Sequence, residues 1–250
     1  MSTGENKLSV LGHIGELRRR LIRSLIVVAI TTTLCFIFYN QIFDVLKSPV
    51  QDINLIFIEM TEMFGTIMRV ALFGGVILAI PYLSYELIMF ISPALTAREK
   101  KYVYLILPWI ALMFAAGVVF CYVFLIPPMV KFLISFGSNI ATPQIKIGNY
   151  VATVARLLLA VGLVFELPVV TTFLARIGII SPKWLSEKRK MAIIIAFLMG
   201  AIITPTVDPI NQTLVAAPLV ILYEMSIWLA KLVYKKRPAT ETDAAAPTTE

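Results

Sequence analysis

Residues 150–175 read YVATVARLLLAVGLVFELPVVTTFLA, a run whose only charged side chains are Arg156 and Glu166. A hydrocarbon core about 30 Å thick calls for roughly 20 apolar residues of helix, and this stretch is long enough to supply them. It is read as a transmembrane helix. That reading turns Glu166 into a question, because a charge at the middle of a bilayer costs from ~3 to above ~10 kcal/mol depending on how it is measured.

Composition extends the reading to the whole chain. The 250 residues are 59% hydrophobic and only 15% charged, whereas a soluble domain is about one quarter charged. The net charge of +7 would suit a nucleic-acid binder. A basic excess in a multi-spanning chain is the usual result of Lys and Arg kept on the cytoplasmic side, so no nucleic-acid partner is expected. Cys35 and Cys121 both fall inside apolar runs and are read as packing residues rather than a disulfide framework. The first twenty residues are polar, so no cleavable signal peptide is expected.

Apolar runs lie near 21–43, 67–91, 103–127, 150–175, 191–205 and 212–233, separated by polar joints. The expected fold is therefore all-α: a polytopic membrane protein with six transmembrane helices in one domain over residues 1–237, followed by a disordered tail at 238–250. The fifth run is short. Met191 to Ile203 gives only about 20 Å of helix at 1.5 Å per residue. Prolines 81, 108, 127, 128, 168, 205, 209 and 218 fall in or at the ends of spans, so the helices are expected to be bent and the bundle concave. Counting bases orients it: seventeen Lys and Arg sit in the N-terminal segment, the second and fourth joints and the C-terminal end, and five (Lys47, Arg69, Lys131, Lys146 and Arg156) on the other side. Both termini are thereby placed in the cytoplasm.

Few residues carry chemistry. The chain has one histidine, His13, and no nucleophile–base, phosphate-loop or metal-spaced motif, so neither an enzyme nor a cofactor is expected. What remains is a set of carboxylates at definite depths. Glu16 stands beside Arg18, Arg19 and Arg20 before the first span, and Glu99 in the R-E-K-K joint between the second and third. Each either serves a ligand or balances a neighbouring base, Arg18 or Lys100. Glu86 and Glu224 lie about 10 Å from cytoplasmic helix ends and are read as reaching the interface. Arg156 is too far along its helix from Glu166 to pair with it and is expected to snorkel outward. Glu166 has no such exit. It should point into a concavity between spans, satisfied by water, a polar partner, a proton or an internal hydrogen bond.

Four stretches make the chain recognisable. H-I-G-E-L-R-R-R-L (13–21), F-I-S-P-A-L-T-A-R-E-K (90–100), G-L-V-F-E-L-P (162–168) and I-T-P-T-V-D-P-I-N-Q (203–212) resemble, in order, the H-x-x-E-L-R-x-R-L, F-x-x-P-A-L-x-x-x-E-[RK], F-E-x-P and T-P-x-D-x-x-x-Q motifs of the TatC family, the multispanning core of the twin-arginine protein translocase. The resemblance covers residues 8 to 234. It implies a receptor in the bacterial inner membrane that binds the twin-arginine signal peptides of folded cargo through Glu16, Arg18, Phe90 and Glu99. It also implies assembly with TatA- and TatB-type single-span proteins and with further copies of itself within membrane lipid. Glu166 becomes a polar spot for a partner helix, and Asp208 and Gln212 belong to the periplasmic loop. The competing class is a proton-coupled solute transporter with Glu166 as the titrating site. Against it stand the missing internal repeat and the missing second midplane charge.

Overall fold

The structure is a computed structural model that describes residues 3–50, 55–91, 97–136, 142–204 and 208–234. The tail at 238–250 and positions 205–207 lie outside the described residues. Ten α-helices are present among them: α1 (Thr3–Ile37), α2 (Tyr39–Lys47), α3 (Glu62–Ile91), α4 (Ala97–Phe120), α5 (Ile126–Ser135), α6 (Ile147–Phe165), α7 (Leu167–Arg176), α8 (Pro182–Glu187), α9 (Arg189–Ile203) and α10 (Pro209–Val233). Among the described residues, five segments are long and apolar enough to cross a membrane: Ile14–Ile37, Glu62–Phe90, Tyr104–Ser135, Ile147–Arg176 and Pro209–Val233. The 15 residues of α9 amount to about 22 Å, so the fifth run is as short as its composition suggests.

The expected span limits shift in instructive places. The polar N-terminal segment is not a lead-in but part of α1, which ends at Ile37 rather than at 43. Phe38 leaves the helical region at ψ 22° and re-aims the chain into α2. The third span runs past 127 to Ser135. A π-helical turn at Cys121–Leu125 absorbs the Pro127–Pro128 pair, which then sits at the start of α5, where missing N–H groups do least harm. The fourth span is two helices. Pro168 cannot donate to the carbonyl four residues back, and the chain re-forms as α7 immediately after Glu166. A further departure from an all-helical chain is a short parallel pair, β1 (Leu55–Ile56) with β2 (Ile145–Lys146). It ties the joint after α2 to the joint before α6.

The core is built around α6. Tyr150, Val151, Val154, Leu157, Leu158 and Val161 are all buried, and α3, α4, α9 and α10 pack against them. Side chains on the outer helices, such as Leu25, Ile194 and Trp228, are exposed. Lipid is as apolar as they are, so helix contacts here rest on close packing and internal hydrogen bonds. Glycines set the closest approaches. A Cβ on Gly75 of α3 would stand 2.5 Å from the Thr32 Cα of α1, and one on Gly162 would stand 2.6 Å from the Phe114 ring of α4. Thr31 uses the first closeness by donating to the Gly75 carbonyl at 2.8 Å. Cys35 and Cys121 are buried free thiols, in keeping with packing roles.

Two tyrosines anchor α2. Its last carbonyls find partners outside the helix: Val45 O accepts from the C-cap Ser48 N–H and from Tyr122 at 2.6 Å, and Leu46 O accepts from Tyr150 at 2.7 Å. At the same end, the Glu62 carboxylate accepts the N–H groups of Ile58 and Gly148 at 2.9 and 3.4 Å. The strand pair, the tyrosines and Glu62 thus fasten one end of the bundle.

Candidate functional site

At the opposite end of α3, three charged residues meet. Glu16 and Arg20 are four apart on α1, the spacing at which helical side chains face each other. Arg20 Nη2 and Nε donate to Glu16 Oε1 at 2.6 and 3.0 Å. The third guanidinium nitrogen, Nη1, donates to Glu86 Oε2 at 2.7 Å. Tyr82, one turn earlier on α3, donates its hydroxyl to Glu86 Oε1, also at 2.7 Å. The cluster becomes drier inward: Glu16 is 34% exposed, Arg20 17% and Glu86 5%.

Glu16 keeps spare capacity. Both bonds from Arg20 fall on Oε1, and among the described residues Oε2 accepts none. Beside it opens a recess of about 420 Å³ lined by Gly12, Gly15, Glu16, Arg19, Arg20 and Arg23. A Cβ added to Gly12 or Gly15 would meet nothing within 4 Å. A carboxylate with one free oxygen beside open space is suited to a planar cationic group delivered from outside.

The other sequence-derived candidates fall as follows. Arg18 is exposed on α1; two residues from Glu16, it points to a different side of the helix, and the internal partner of Glu16 is Arg20 instead. Phe90 is half-buried at the penultimate position of α3. Glu99 lies in the first turn of α4, and its side chain, like those of His13 and Lys100, lies outside the described residues. Glu86, read as merely reaching the interface, is buried and ion-paired. It is the member of the cluster that sequence reasoning missed. The signals were there in the i, i+4 spacings of Glu16–Arg20 and Tyr82–Glu86. Glu224 does reach a partner at the surface, Arg189 at 2.8 Å, with about half of each side chain exposed. Arg156 is exposed and donates to its own helix at Ala152 O.

Glu166 is the C-cap of α6 and the N-cap of α7, at a break rather than mid-helix. Its backbone bridges the joint: the N–H bonds to Leu163 O at 3.1 Å and the carbonyl accepts from Val170 N at 2.9 Å. Its side chain is only 8% exposed, and neither carboxylate oxygen has a hydrogen-bond partner among the described residues. The internal-hydrogen-bond option is therefore not taken up there. A buried group of this kind has a capacity left for a partner.

Asp208 caps α10, accepting from Asn211 N at 2.7 Å and Asn211 Nδ2 at 2.9 Å. Gln212 donates to Phe197 O at 2.9 Å and so ties α10 to α9. Both carry structural tasks at the joint between these helices.

Comparison with known proteins bears on the family of the chain. Residues 12–218 match the family model described as Sec-independent protein translocase protein (TatC). The TatC protein of Carboxydothermus hydrogenoformans is 36% identical over 234 residues, covering 93% of this chain and 96% of its own. That of Desulforapulum autotrophicum is 39% identical, with 98% of this chain and 92% of its own covered. A crystal structure of the twin arginine translocase receptor TatC superposes with a TM-score of 0.80 at 37% identity, covering 88% of this chain and 99% of that one.

Proposed function

Since this chain belongs to the TatC family of Sec-independent protein translocase proteins, we propose that it receives twin-arginine signal peptides of folded cargo at the α1–α3–α4 end. Glu16 and Glu99 are the acceptors for the arginine pair, with Arg18 and Phe90 flanking them. The observation that carries this reading is the half-used carboxylate of Glu16 beside an open recess. A guanidinium offers a planar fork of donors that an ammonium lacks, so the site chemistry favours arginine over lysine.

The wider reading follows from the same premise. The chain spans the bacterial inner membrane six times, with α9 as the short fifth span and both termini in the cytoplasm, on the asymmetry of Lys and Arg. TatA- and TatB-type single-span proteins, lipid and further copies of the chain surround it. Glu166, buried and without a hydrogen-bond partner among the described residues, is the polar spot for a partner helix.

The test is peptide affinity in nanodiscs for Glu16→Ala, Glu99→Ala and the double variant. Each single loss should weaken binding about ten-fold or more, the scale of a hydrogen bond to a charged group. Unchanged affinity in the double variant would remove the receptor assignment.

A further inference from the structure

Arg20 presents to Glu16 the same chemical group that the proposed ligand would bring. Three of its nitrogens are engaged, two on one oxygen of Glu16 and one on Glu86. An external guanidinium that takes Glu16 must therefore share or displace an internal one. Stripped of Glu16 and left alone at 17% exposure, Arg20 would be a poorly solvated, unpaired charge, and binding would carry that penalty. Glu86 removes it. This carboxylate is held from the far side by Tyr82 and already receives Nη1. Arg23 lies close enough to add to the positive field around it.

Resting on the receptor reading above, we infer that Arg20 is a built-in occupant of the signal-arginine site and that Glu86, oriented by Tyr82, is the seat onto which it withdraws when an incoming guanidinium takes Glu16. Binding is then an exchange of one guanidinium for another on Glu16, with every charge paired before and after. Glu86 and Tyr82 are positioning residues that need not touch the peptide. The exchange also sharpens selection. A lysine ammonium, with no planar fork, competes poorly against a resident arginine that has one, whereas at an empty carboxylate it would face no rival.

A plain α1–α3 brace would predict something different. Removing either side of a brace weakens the fold and does nothing selective to ligand binding. The exchange predicts opposite effects from the two partners. In Glu86→Gln, Arg20 has only Glu16 for a counter-ion, so affinity for a synthetic twin-arginine signal peptide should fall about ten-fold. In Arg20→Gln, Glu16 is vacated: affinity should rise several-fold, and the preference over a twin-lysine peptide should narrow. In the Glu86→Gln/Arg20→Gln double variant, affinity should return to at least the native level.

The measurement uses the full chain in nanodiscs, with unfolding midpoints recorded for every variant and Glu16→Gln as the control. Weakened binding in Glu16→Gln together with native affinity in Glu86→Gln overturns the exchange and leaves the receptor reading standing. Native affinity in Glu16→Gln overturns the receptor reading itself. Failure of Arg20→Gln to rescue a folded Glu86→Gln protein also overturns the exchange, since Glu86 would then act on the peptide directly. Should Glu86→Gln alone not fold, Arg20→Gln decides the matter: unchanged affinity and unchanged twin-arginine preference refute the proposal.

Discussion

Tyr150 donates its hydroxyl hydrogen to the carbonyl oxygen of Leu46 at 2.7 Å, joining positions 104 residues apart in the chain. The tyrosine is 6% exposed, so water cannot replace it. Tyr150→Phe strands a buried carbonyl and should cost about 1–3 kcal/mol, read as a lower unfolding midpoint in detergent. Tyr122→Phe removes the neighbouring bond to Val45 at a wetter position and should cost less. Equal effects would mean that the two carbonyls share one environment.

Glycine substitutions should separate by their surroundings. Gly75→Ala drives a methyl to within 2.5 Å of backbone on α1 and should destabilise by about 1–3 kcal/mol or more. Gly65→Ala, in the same helix, meets nothing within 4 Å and should be neutral or slightly stabilising through helix propensity. Thermal unfolding of the two purified variants makes the comparison. A destabilised Gly65→Ala would contradict the packing described for α3.

Glu166 should show a conflict between stability and function. Replacing by leucine a buried carboxyl with no partner among the described residues removes an unsatisfied group and should raise the unfolding midpoint. The same change should impair transport, while leaving signal-peptide affinity within about two-fold. Glu166→Gln, which can still hydrogen-bond, should retain much of the transport. Loss of peptide binding in a folded Glu166→Leu protein would tie this residue to the receptor end instead.

The sidedness of the bundle is open to a direct assay. In a version lacking Cys35 and Cys121, single cysteines at positions 5, 98, 186 and 245 should be shielded from an impermeant reagent in intact cells. Those at 52, 140 and 207 should react. Labelling at 98 would overturn the six-span arrangement.

How much of this was legible in the sequence differs between the runs and their ends. The apolar cores of the spans announce themselves, because lipid tolerates little else. Their limits do not: polar residues such as Glu16 and Arg20 belong to α1, and nothing in their hydropathy marks them as helical. Reading residues 3–20 as a lead-in hid the i, i+4 geometry of that pair. The burial of Glu86 was out of reach for a different reason. It depends on α1 lying against α3, a contact set by Gly75 and Thr32, 43 positions apart. Glu62 went unnoticed because the donors to its carboxylate are backbone N–H groups, Gly148 among them, and no side-chain motif betrays them. Glu166 was the clearest signal, since a single carboxylate in an apolar run stands out in any register.

The central place of α6 bears on how the protein is made. Helices enter the membrane in the order in which they are synthesised, yet α6 is covered by α3 and α4, which precede it, and by α9 and α10, which follow. For an interval, the part of its surface where α9 and α10 will later lie faces acyl chains. Its second half suits that interval, because residues 157–165 are apolar on every side and such a helix is as content in lipid as in protein. That apolar stretch ends at Glu166, the C-cap, whose carboxylate lipid cannot solvate, and there the chain breaks. Assembly can thus wait for the final hairpin without exposing a polar flank of residues 157–165, and the carboxylate at the hinge beyond them calls for that wait to end.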